Sequence, residues 1–330
     1  MRERCTPQQR RAVRASGVPE TLHRPRAGLL PIVLGAAFLG ISVSGPLARL
    51  SSAHPLAIAS WRLAFTMVIV GALLAITGTW REYRSLARRD LLVALGAGFF
   101  LALHFWSWIA SIGLTSVAAS TVLVNMHPIV VVAGSALLFG EKPSRRQLLG
   151  IAIALAGAFV LGLDAPPEQV DGGDGVGGAS SRTPSSHLTG NLLALAGAVA
   201  VGIYYLAGRS LRQRLSLWPY VGLVYGACFI TLLAFAGVSG APLWPQPPRE
   251  MLIFAGITLG PMMLGHTGFN WALRYVPAYV VSLAVLSEPV GATILAAIIP
   301  GIGEIPGTLT LVGGGIILTG LALGALEERR

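Results

Sequence analysis

The chain has 330 residues, of which 54% are hydrophobic and only 12% are charged, and its mean hydropathy is +0.69. Soluble domains carry about 25% charged residues, so this composition excludes an ordinary soluble protein and indicates one that is embedded in a lipid bilayer. The net charge of +10 could suggest a nucleic-acid partner, but the basic residues lie in short segments between apolar stretches. We therefore expect no nucleic-acid partner and interpret the charge as a topology signal.

Ten stretches are long and apolar enough for transmembrane helices, because about 20 apolar residues cross the hydrocarbon layer. If the N-terminus is cytoplasmic, twenty of the 24 Lys and Arg residues fall in inner segments, three in outer segments and one, Arg62, inside a span. The sequence therefore predicts an all-α multi-pass membrane protein, in the inner or plasma membrane, with both termini cytoplasmic. The spans cover approximately residues 28–46, 55–77, 91–113, 117–139, 147–164, 188–208, 217–238, 251–273, 277–299 and 307–326.

One long polar segment interrupts this pattern and divides the spans five and five. Residues 165–187 are rich in Gly, Ser, Pro and Asp, which predicts a flexible external linker. The predicted domains are a basic cytoplasmic N-terminal segment (1–27), a first five-helix unit (28–164), the linker (165–187), a second five-helix unit (188–326) and a cytoplasmic tail (327–330).

The two five-helix units are repeats of each other. Residues 115–159 align with residues 276–322, with a two-residue insertion, so that His127-Pro128 matches Glu288-Pro289. Gly140-Glu141 then matches Gly303-Glu304, and Gly150 and Gly157 match Gly313 and Gly320. Five spans is an odd number, so the second unit enters the membrane from the opposite side. Inverted repeats of this kind are typical of secondary transporters, whose substrate site lies near the membrane midplane between the halves.

The matched dipeptides predict a site at that midplane. Glu288 and His127 lie near the centres of spans 9 and 4, and Glu288 is the only acidic residue inside any predicted span. The following prolines, Pro289 and Pro128, should break the helices there and free carbonyl groups to line a cavity. An ionisable group at mid-depth costs roughly 2.5–3.5 kcal/mol, which favours a functional role, with a structural hydrogen bond as the alternative.

The other polar groups of the predicted spans have both a functional and a structural interpretation. His104 and His266 occupy matching positions in spans 3 and 8, and Arg62 is the one basic residue in a span. Each has a structural alternative: interhelical hydrogen bonding for the histidines and snorkelling to the membrane surface for Arg62. The remaining predicted site residues are Asn125, Trp108, Asn270, Trp271 and Tyr204, although packing alone could explain the aromatic ones.

These features together resemble the EamA-type family of the drug/metabolite transporter superfamily. The resemblance rests on "TSVAASTVLVNMHPI", "GEKPSRRQLLGIAIALAGAF", "GHTGFNWALRYV" and "SEPVGATILAAIIPGIGEIP" and covers residues from about 28 to 326. It implies ten helices and the export of a small metabolite, such as an amino acid or a related solute, by alternating access. The segment "AIIPGIGEIP" inserts residues before Gly303, so we expect an altered turn between spans 9 and 10.

Other functions are less consistent with these residues. The intramembrane His and Glu groups could bind a metal or cation, so a metal or cation transporter is the alternative, although they lie on four predicted helices at different depths. An intramembrane enzyme would need a nucleophile with a base or paired carboxylates. No phosphate-binding loop is visible, so we expect no cofactor and no ATP drive. The expected partners are a small-molecule solute, lipid and, as a coupling ion, protons. The sequence leaves the substrate, the direction of transport and the oligomeric state open.

Overall fold

The computed structural model describes residues 28–114, 117–163, 184–299 and 307–325, and every regular element in these ranges is helical. A 3₁₀ helix covers Thr79–Ser85, and a π-helix covers Thr258–His266. The α-helices are α1 (Leu29–Ser42), α2 (Ser44–Leu50), α3 (Pro55–Thr77), α4 (Arg88–Leu114), α5 (Val117–Val124), α6 (His127–Phe139), α7 (Arg145–Gly162), α8 (Pro184–Arg212), α9 (Leu217–Ser239), α10 (Pro248–Ile257), α11 (Thr267–Ala272), α12 (Ala278–Val285), α13 (Glu288–Ile298) and α14 (Thr308–Ala325).

The described helices are those of a multi-pass membrane protein. Large apolar side chains such as Val68, Leu137 and Val238 are exposed on the outside of the bundle, as expected where the protein faces lipid. Thr308–Gly324 forms a shorter apolar helix. Eight stretches are long and apolar enough to cross a membrane: Leu29–Ala48, Pro55–Thr77, Arg88–Ser111, Val122–Phe139, His187–Arg212, Leu217–Ser239, Pro248–Ala272 and Ala278–Leu295.

Helix α8 is longer at both ends than the sequence predicts. It begins at Pro184, so the last four residues of the predicted linker are helical, while residues 164–183 lie outside the described ranges. It continues to Arg212, so the prediction that Arg62 is the only basic residue in a span is wrong. The buried side chain of Arg212 is satisfied by carbonyl partners, donating from Nε to Asn270 O at 3.0 Å and from Nη1 to Leu215 O at 2.5 Å.

Two acidic residues also lie on membrane-spanning helices, which corrects the prediction that Glu288 is the only one. Asp90 and Glu250 are in the first turns of α4 and α10, where the helices begin a few residues before the apolar stretches do. A carboxylate is favourable near a helix N-terminus, since it interacts with the positive end of the helix dipole. Glu250 is also well satisfied, because it accepts from the Ser51 hydroxyl at 2.5 Å and from Ser52 N and Oγ at 3.1 Å each.

The contact between α7 and α14 shows how the two halves pack. A Cβ added at Gly150 would lie 2.6 Å from Gly320 O, and one added at Gly157 would lie 2.8 Å from Gly313 O. Gly150 of α7 therefore contacts Gly320 of α14, and Gly157 of α7 contacts Gly313 of α14. The two helices thus run antiparallel. Because the repeat alignment equates Gly150 with Gly313 and Gly157 with Gly320, the two contacts exchange under a two-fold axis. Only glycine permits this close backbone approach.

Other helix contacts follow the same two-fold pattern. Helix α4 packs along α8, and the equivalent contact is made by α1 with the π-helix and α11. Helices α5 and α6 contact α8, and the equivalent α12 and α13 contact α1. Helices α3 and α9, which are equivalent, contact each other. The described bundle therefore has an internal two-fold pseudosymmetry, with α1 to α7 and α8 to α14 as its halves.

Polar contacts tie the helices together at both ends of the bundle. At the end where α4 begins and α8 finishes, Arg209 pairs with Glu141 at 2.7 Å and Arg214 pairs with Asp90 at 2.6 Å. The contacts of Glu250 with Ser51 and Ser52 lie at the opposite end, where α2 finishes and α10 begins. These contacts connect neighbouring helices at each of the two ends of the bundle.

Candidate functional site

Two interrupted helices meet in the middle of the bundle and place His127 and Glu288 there. Helix α5 finishes at Val124 and α6 begins at His127, while α12 finishes at Val285 and α13 begins at Glu288. Pro128 and Pro289 are in the first turns of α6 and α13, where a missing N–H group costs no helical hydrogen bond. His127 and Glu288 thus occupy equivalent positions, each at the start of the second half of a broken helix.

A cavity of about 50 Å³ lies between these breaks. A space of this size holds a few water molecules, since one water needs roughly 10–15 Å³, and it is too narrow for a metabolite. The cavity is therefore narrow in this structure. Seven of the residues predicted for the site line this cavity: Arg62, His104, Trp108, Asn125, His127, His266 and Glu288.

Arg62 is the most buried charge in the cavity wall, with 2% of its surface exposed. Its Cζ lies 3.5 Å from the centroid of the Phe105 ring, a cation–π contact. Two of its guanidinium nitrogens, Nε and Nη2, have no hydrogen-bond partner. The hydroxyls of Thr66 and Thr258 donate to Arg62 O at 2.6 and 3.1 Å, which fixes the backbone beneath the side chain. Arg62 therefore faces the cavity and not the membrane surface.

The three histidines surround the cavity from different helices. His104 Nδ1 is 3.0 Å from Gly197 O, and its ring is stacked on Trp108 with 6.3 Å between centroids. His127 Nδ1 is 3.2 Å from Val124 O, at the end of α5. His266, the last residue of the π-helix, has an unpartnered Nδ1 and packs edge-on to Phe105. Each ring thus retains hydrogen-bonding capacity within the cavity wall.

Glu288 is partly buried, as Trp108 is, whereas Arg62 and the three histidines of the cavity wall are buried. It lies in the first turn of α13, where the helix dipole favours a negative charge. Among the ion pairs of the described residues, none within 4.0 Å joins Glu288 to Arg62, although both line the same cavity. The site therefore presents one positive and one negative group separately.

Three predicted site residues lie outside the cavity. Asn270 is fully buried and belongs to a hydrogen-bond network, accepting from Tyr204 OH at 2.8 Å and donating to Tyr225 OH at 3.0 Å. Tyr204 is thus its partner in the packing between α8, α9 and α11. Trp271 packs on Tyr275, with 4.6 Å between ring centroids. Asn270 and Tyr204 therefore bond to each other, and Trp271 contacts Tyr275, so the contacts of all three are with other side chains of the protein.

Several cavity residues were not predicted from the sequence. Phe105 lies beneath Arg62, Tyr205 packs beside His127 at 6.0 Å between centroids, and Ser44 lines the wall from the start of α2. Phe105 and Tyr205 follow directly after His104 and Tyr204, so the sequence indicates the segments but not which helix face points inward. Ser44 follows a helix break at Val43 that carries no proline, which leaves little signal in the sequence.

The described residues hold no group of three or more His, Cys, Asp or Glu arranged to bind a metal ion. The histidines come close to one another only through aromatic rings, as His104 and His266 both contact Phe105. In the described part of the chain, the metal-transporter alternative therefore gains no support from the geometry.

Comparison with known proteins gives two matches to one family model. The EamA-like transporter family matches residues 26–163 and again residues 188–325, which confirms the resemblance inferred from the sequence. A probable terminal-alkyne amino-acid exporter of Streptantibioticus cattleyicolor is 26% identical over 211 residues, and the match spans 62% of each chain. An uncharacterized transporter of Archaeoglobus fulgidus is 25% identical over 304 residues, covering 88% of this chain and 95% of the relative.

The fold also has a counterpart among solved structures. A crystal structure described only as that of a protein matches with a TM-score of 0.70 at 20% identity. The match covers 90% of this chain and 96% of the other. At this identity the likeness concerns the fold alone, and it extends to nearly all of both chains.

Proposed function

Since the chain belongs to the EamA-like transporter family, we propose that it is a secondary transporter that exports a small, amino-acid-like metabolite by alternating access. One observation carries this proposal: a cavity at the crossing of the two halves, lined by several residues that have buried polar atoms without partners. Unsatisfied buried polar groups are costly, so their concentration at one place indicates a ligand that satisfies them. The amino-acid-exporter relative supports the solute class.

The proposed membrane arrangement has ten spans in two inverted five-helix units. The antiparallel α7 and α14 and the two-fold pattern of helix contacts support the inversion. Basic residues of the described ranges concentrate at the end where α4 begins, including Arg81, Arg88, Arg145 and Arg274. On the positive-inside rule we propose that this end is cytoplasmic and that both termini lie inside the cell. The proposed location is the inner or plasma membrane.

The transport cycle follows from this arrangement. Rocking of one unit against the other opens the cavity to each side in turn, which replaces its present narrow form by one that admits a solute. Glu288 is the coupling group, because it is the acidic member of the cavity wall and is reachable from the cavity. It binds a proton or a cationic part of the solute, and its change of charge favours one of the two open states.

Untargeted metabolite analysis tests this function. Cells that overproduce the wild type, the Glu288→Gln variant at matched abundance, or neither are compared for solutes inside and outside. We expect a solute that accumulates outside only with the wild type, because glutamine keeps the size of Glu288 but cannot take up or release a proton. The loss should be at least about 100-fold, a size expected when an obligatory charged contact is removed.

A matched control is Glu82→Gln, which changes a carboxylate outside the cavity. Glu82 accepts from Ser216 N through Oε2 at 3.1 Å and from the Ser216 hydroxyl through Oε1; in glutamine the amide oxygen can accept from Ser216 N, and the NH2 group can donate to the hydroxyl oxygen, which also serves as an acceptor. Export by this control should equal that of the wild type. Equal export by Glu288→Gln and the wild type would make Glu288 structural, and an unchanged metabolite profile with the wild type would contradict export.

A further inference from the structure

The charge arrangement of the cavity specifies more than a general solute site. The guanidinium of Arg62 is 2% exposed, and its Nε and Nη2 atoms have no hydrogen-bond partner. Buried charges in folded proteins are normally paired and hydrogen-bonded. The cation–π contact with Phe105 uses one face of the guanidinium plane and leaves the N–H edge unsatisfied. An anion that lies in the plane of this edge would supply what is missing.

The neighbouring atoms favour the same conclusion. Trp108 Nε1, an obligatory hydrogen-bond donor, is buried without a partner and lines the same cavity. His266 Nδ1 is also unpartnered, and its ring contacts Phe105 beneath the guanidinium. Two donor groups and one imidazole nitrogen without partners thus belong to residues that line one small space from three different helices. This is the environment expected for a carboxylate that accepts several hydrogen bonds.

Glu288 supplies the complementary half of the site. Glu288 is partly exposed as a residue, and its carboxylate has no partner among the ion pairs of the described residues. The cavity wall therefore carries one fixed positive group and one group that can be negative. A phosphate dianion would leave an uncompensated negative charge beside Glu288, whereas a neutral zwitterion compensates both wall charges.

We propose that Arg62 binds the carboxylate, and Glu288 the ammonium group, of a small zwitterionic α-amino acid in the cavity. This inference rests on the proposed function and assigns the substrate's two charged groups to two residues. The guanidinium fork matches a carboxylate through two parallel N–H···O bonds, which a lysine cannot reproduce. Arg62 is thus a binding residue that selects solutes with a free carboxylate, and Trp108 contributes a further donor to the same group.

Thermal stabilisation of the purified, detergent-solubilised protein tests the assignment, because a ligand that binds the folded state raises its stability. The probes are the proteinogenic L-α-amino acids and, for each that stabilises the wild type, its carboxamide and its des-amino carboxylic acid. The wild type should prefer the amino acid over both analogues by at least about 10-fold in apparent Kd, the size expected for one charged hydrogen-bond pair.

Four variants, one of them a control, test the two charged groups separately. Arg62→Gln should lose at least about 10-fold in affinity for the amino acid and bind the carboxamide as the wild type does. Glu288→Gln should show the reverse selectivity, retaining the des-amino acid. Arg249→Gln, which changes an exposed arginine outside the cavity, should match the wild type with every probe. Arg62→Lys keeps the positive charge but cannot form two parallel hydrogen bonds to a carboxylate. It replaces Arg62→Gln in the test if Arg62→Gln does not fold.

Two results would overturn the assignment. An equal loss of the amino acid and its carboxamide in Arg62→Gln or Arg62→Lys would make Arg62 a counter-charge for Glu288, not a carboxylate site. Failure of every amino acid to stabilise the wild type would reject the zwitterionic substrate. In that second case, export of a different solute in the metabolite comparison would leave the proposed transport function standing, so the two hypotheses fail separately.

Discussion

Buried polar residues in this bundle fall into two groups that differ in whether the protein itself satisfies them. Asn270 and Arg212 are buried and hydrogen-bonded to neighbouring helices. Arg62, Trp108 and His266 are equally part of the interior, yet each has a side-chain nitrogen without a partner. Satisfied groups stabilise the fold, whereas unsatisfied ones around a cavity reduce stability unless a ligand binds.

Asn270→Ala tests the structural role of the first group. The substitution leaves the hydroxyls of Tyr204 and Tyr225 without their amide partner in a fully buried position. We expect the free energy of unfolding to fall by about 1–3 kcal/mol, measured as a lower Tm in detergent. Because Asn270 lies outside the cavity, KM for the transported solute should not change.

Gln246→Ala is the control for this substitution. Its amide donates only to carbonyls of its own loop, Pro242 O and Leu243 O at 3.2 Å each, so its Tm should equal that of the wild type. A wild-type Tm for Asn270→Ala would show that the network contributes nothing. A raised KM with an unchanged Tm would place Asn270 in the solute site instead.

The sequence predicts which residues carry charge or hydrogen-bonding groups, but it predicts less well which way they face. His127 and Glu288 could be found because each precedes a proline in matching repeats. Asn270 and Trp271 share the same helical segment as His266, and only the phase of the helix decides that His266 lines the cavity and they do not. A π-helix from Thr258 to His266 changes that phase, and its wider turn has no clear mark in the sequence beyond Pro261.

At the scale of helices, the α7–α14 crossing is a close backbone-to-backbone contact between the halves. Its glycines could be predicted as a contact surface, because Gly320 and Gly324 have the four-residue spacing that places small residues on one helix face. The partner helix could not be read from that spacing. The repeat alignment equates Gly150 with Gly313, but it does not show that their helices touch. The structure shows that α7 packs against α14.

Gly150→Ala tests this crossing. The added Cβ would lie 2.6 Å from Gly320 O and 2.9 Å from Gly324 N, both backbone atoms, so the helices must move apart. Overpacking of this kind costs about 1–3 kcal/mol, and we expect a correspondingly lower Tm in detergent.

Gly315→Ala is the matched control, since it lies on α14 and its added Cβ would have nothing within 4 Å. Its Tm should equal or exceed that of the wild type, because alanine is the better helix former. Equal Tm values for the two variants would contradict the close packing of α7 and α14.

At the scale of the whole molecule, the two-fold pseudosymmetry accounts for the position of the site. The axis relates α5/α6 to α12/α13, so the breaks before His127 and Glu288 occur on both sides of it and enclose the cavity. The symmetry also fails at specific residues: Arg62 corresponds approximately to Tyr225, which bonds within the protein to Asn270 and Thr267. The repeat thus places the two helix breaks around the cavity. Residues that differ between the repeats, such as Arg62, give the cavity wall its charge.

The two ends of the bundle are held by different contacts, which suits a protein that opens at one end at a time. Glu141 and Arg209 connect α6 to α8 at one end, while Ser51 and Glu250 connect α2 to α10 at the other. The sequence could predict which end is cytoplasmic from its arginines, but not these contacts, because their partners are far apart along the chain. The narrow cavity between them has to open for a solute to pass.

Labelling of a cavity cysteine from each side of the membrane tests alternating access most directly. Ser44 lines the cavity and is 4% exposed, so Ser44→Cys reacts with a charged, membrane-impermeant methanethiosulfonate reagent only when the cavity opens. The background carries Cys5→Ser and Cys228→Ala, and proteoliposomes of known protein orientation are treated from outside or inside. Ser85→Cys and Ser239→Cys, at exposed positions near opposite ends of the bundle, are the one-sided controls.

The account predicts that Ser44→Cys is labelled from either side, while Ser85→Cys and Ser239→Cys are each labelled from one side only, and from opposite sides. Saturating solute should change the ratio of the two Ser44→Cys labelling rates, because it binds the inward-open and outward-open states differently. Labelling of Ser44→Cys from one side alone, with both controls behaving as expected, would contradict alternating access through this cavity.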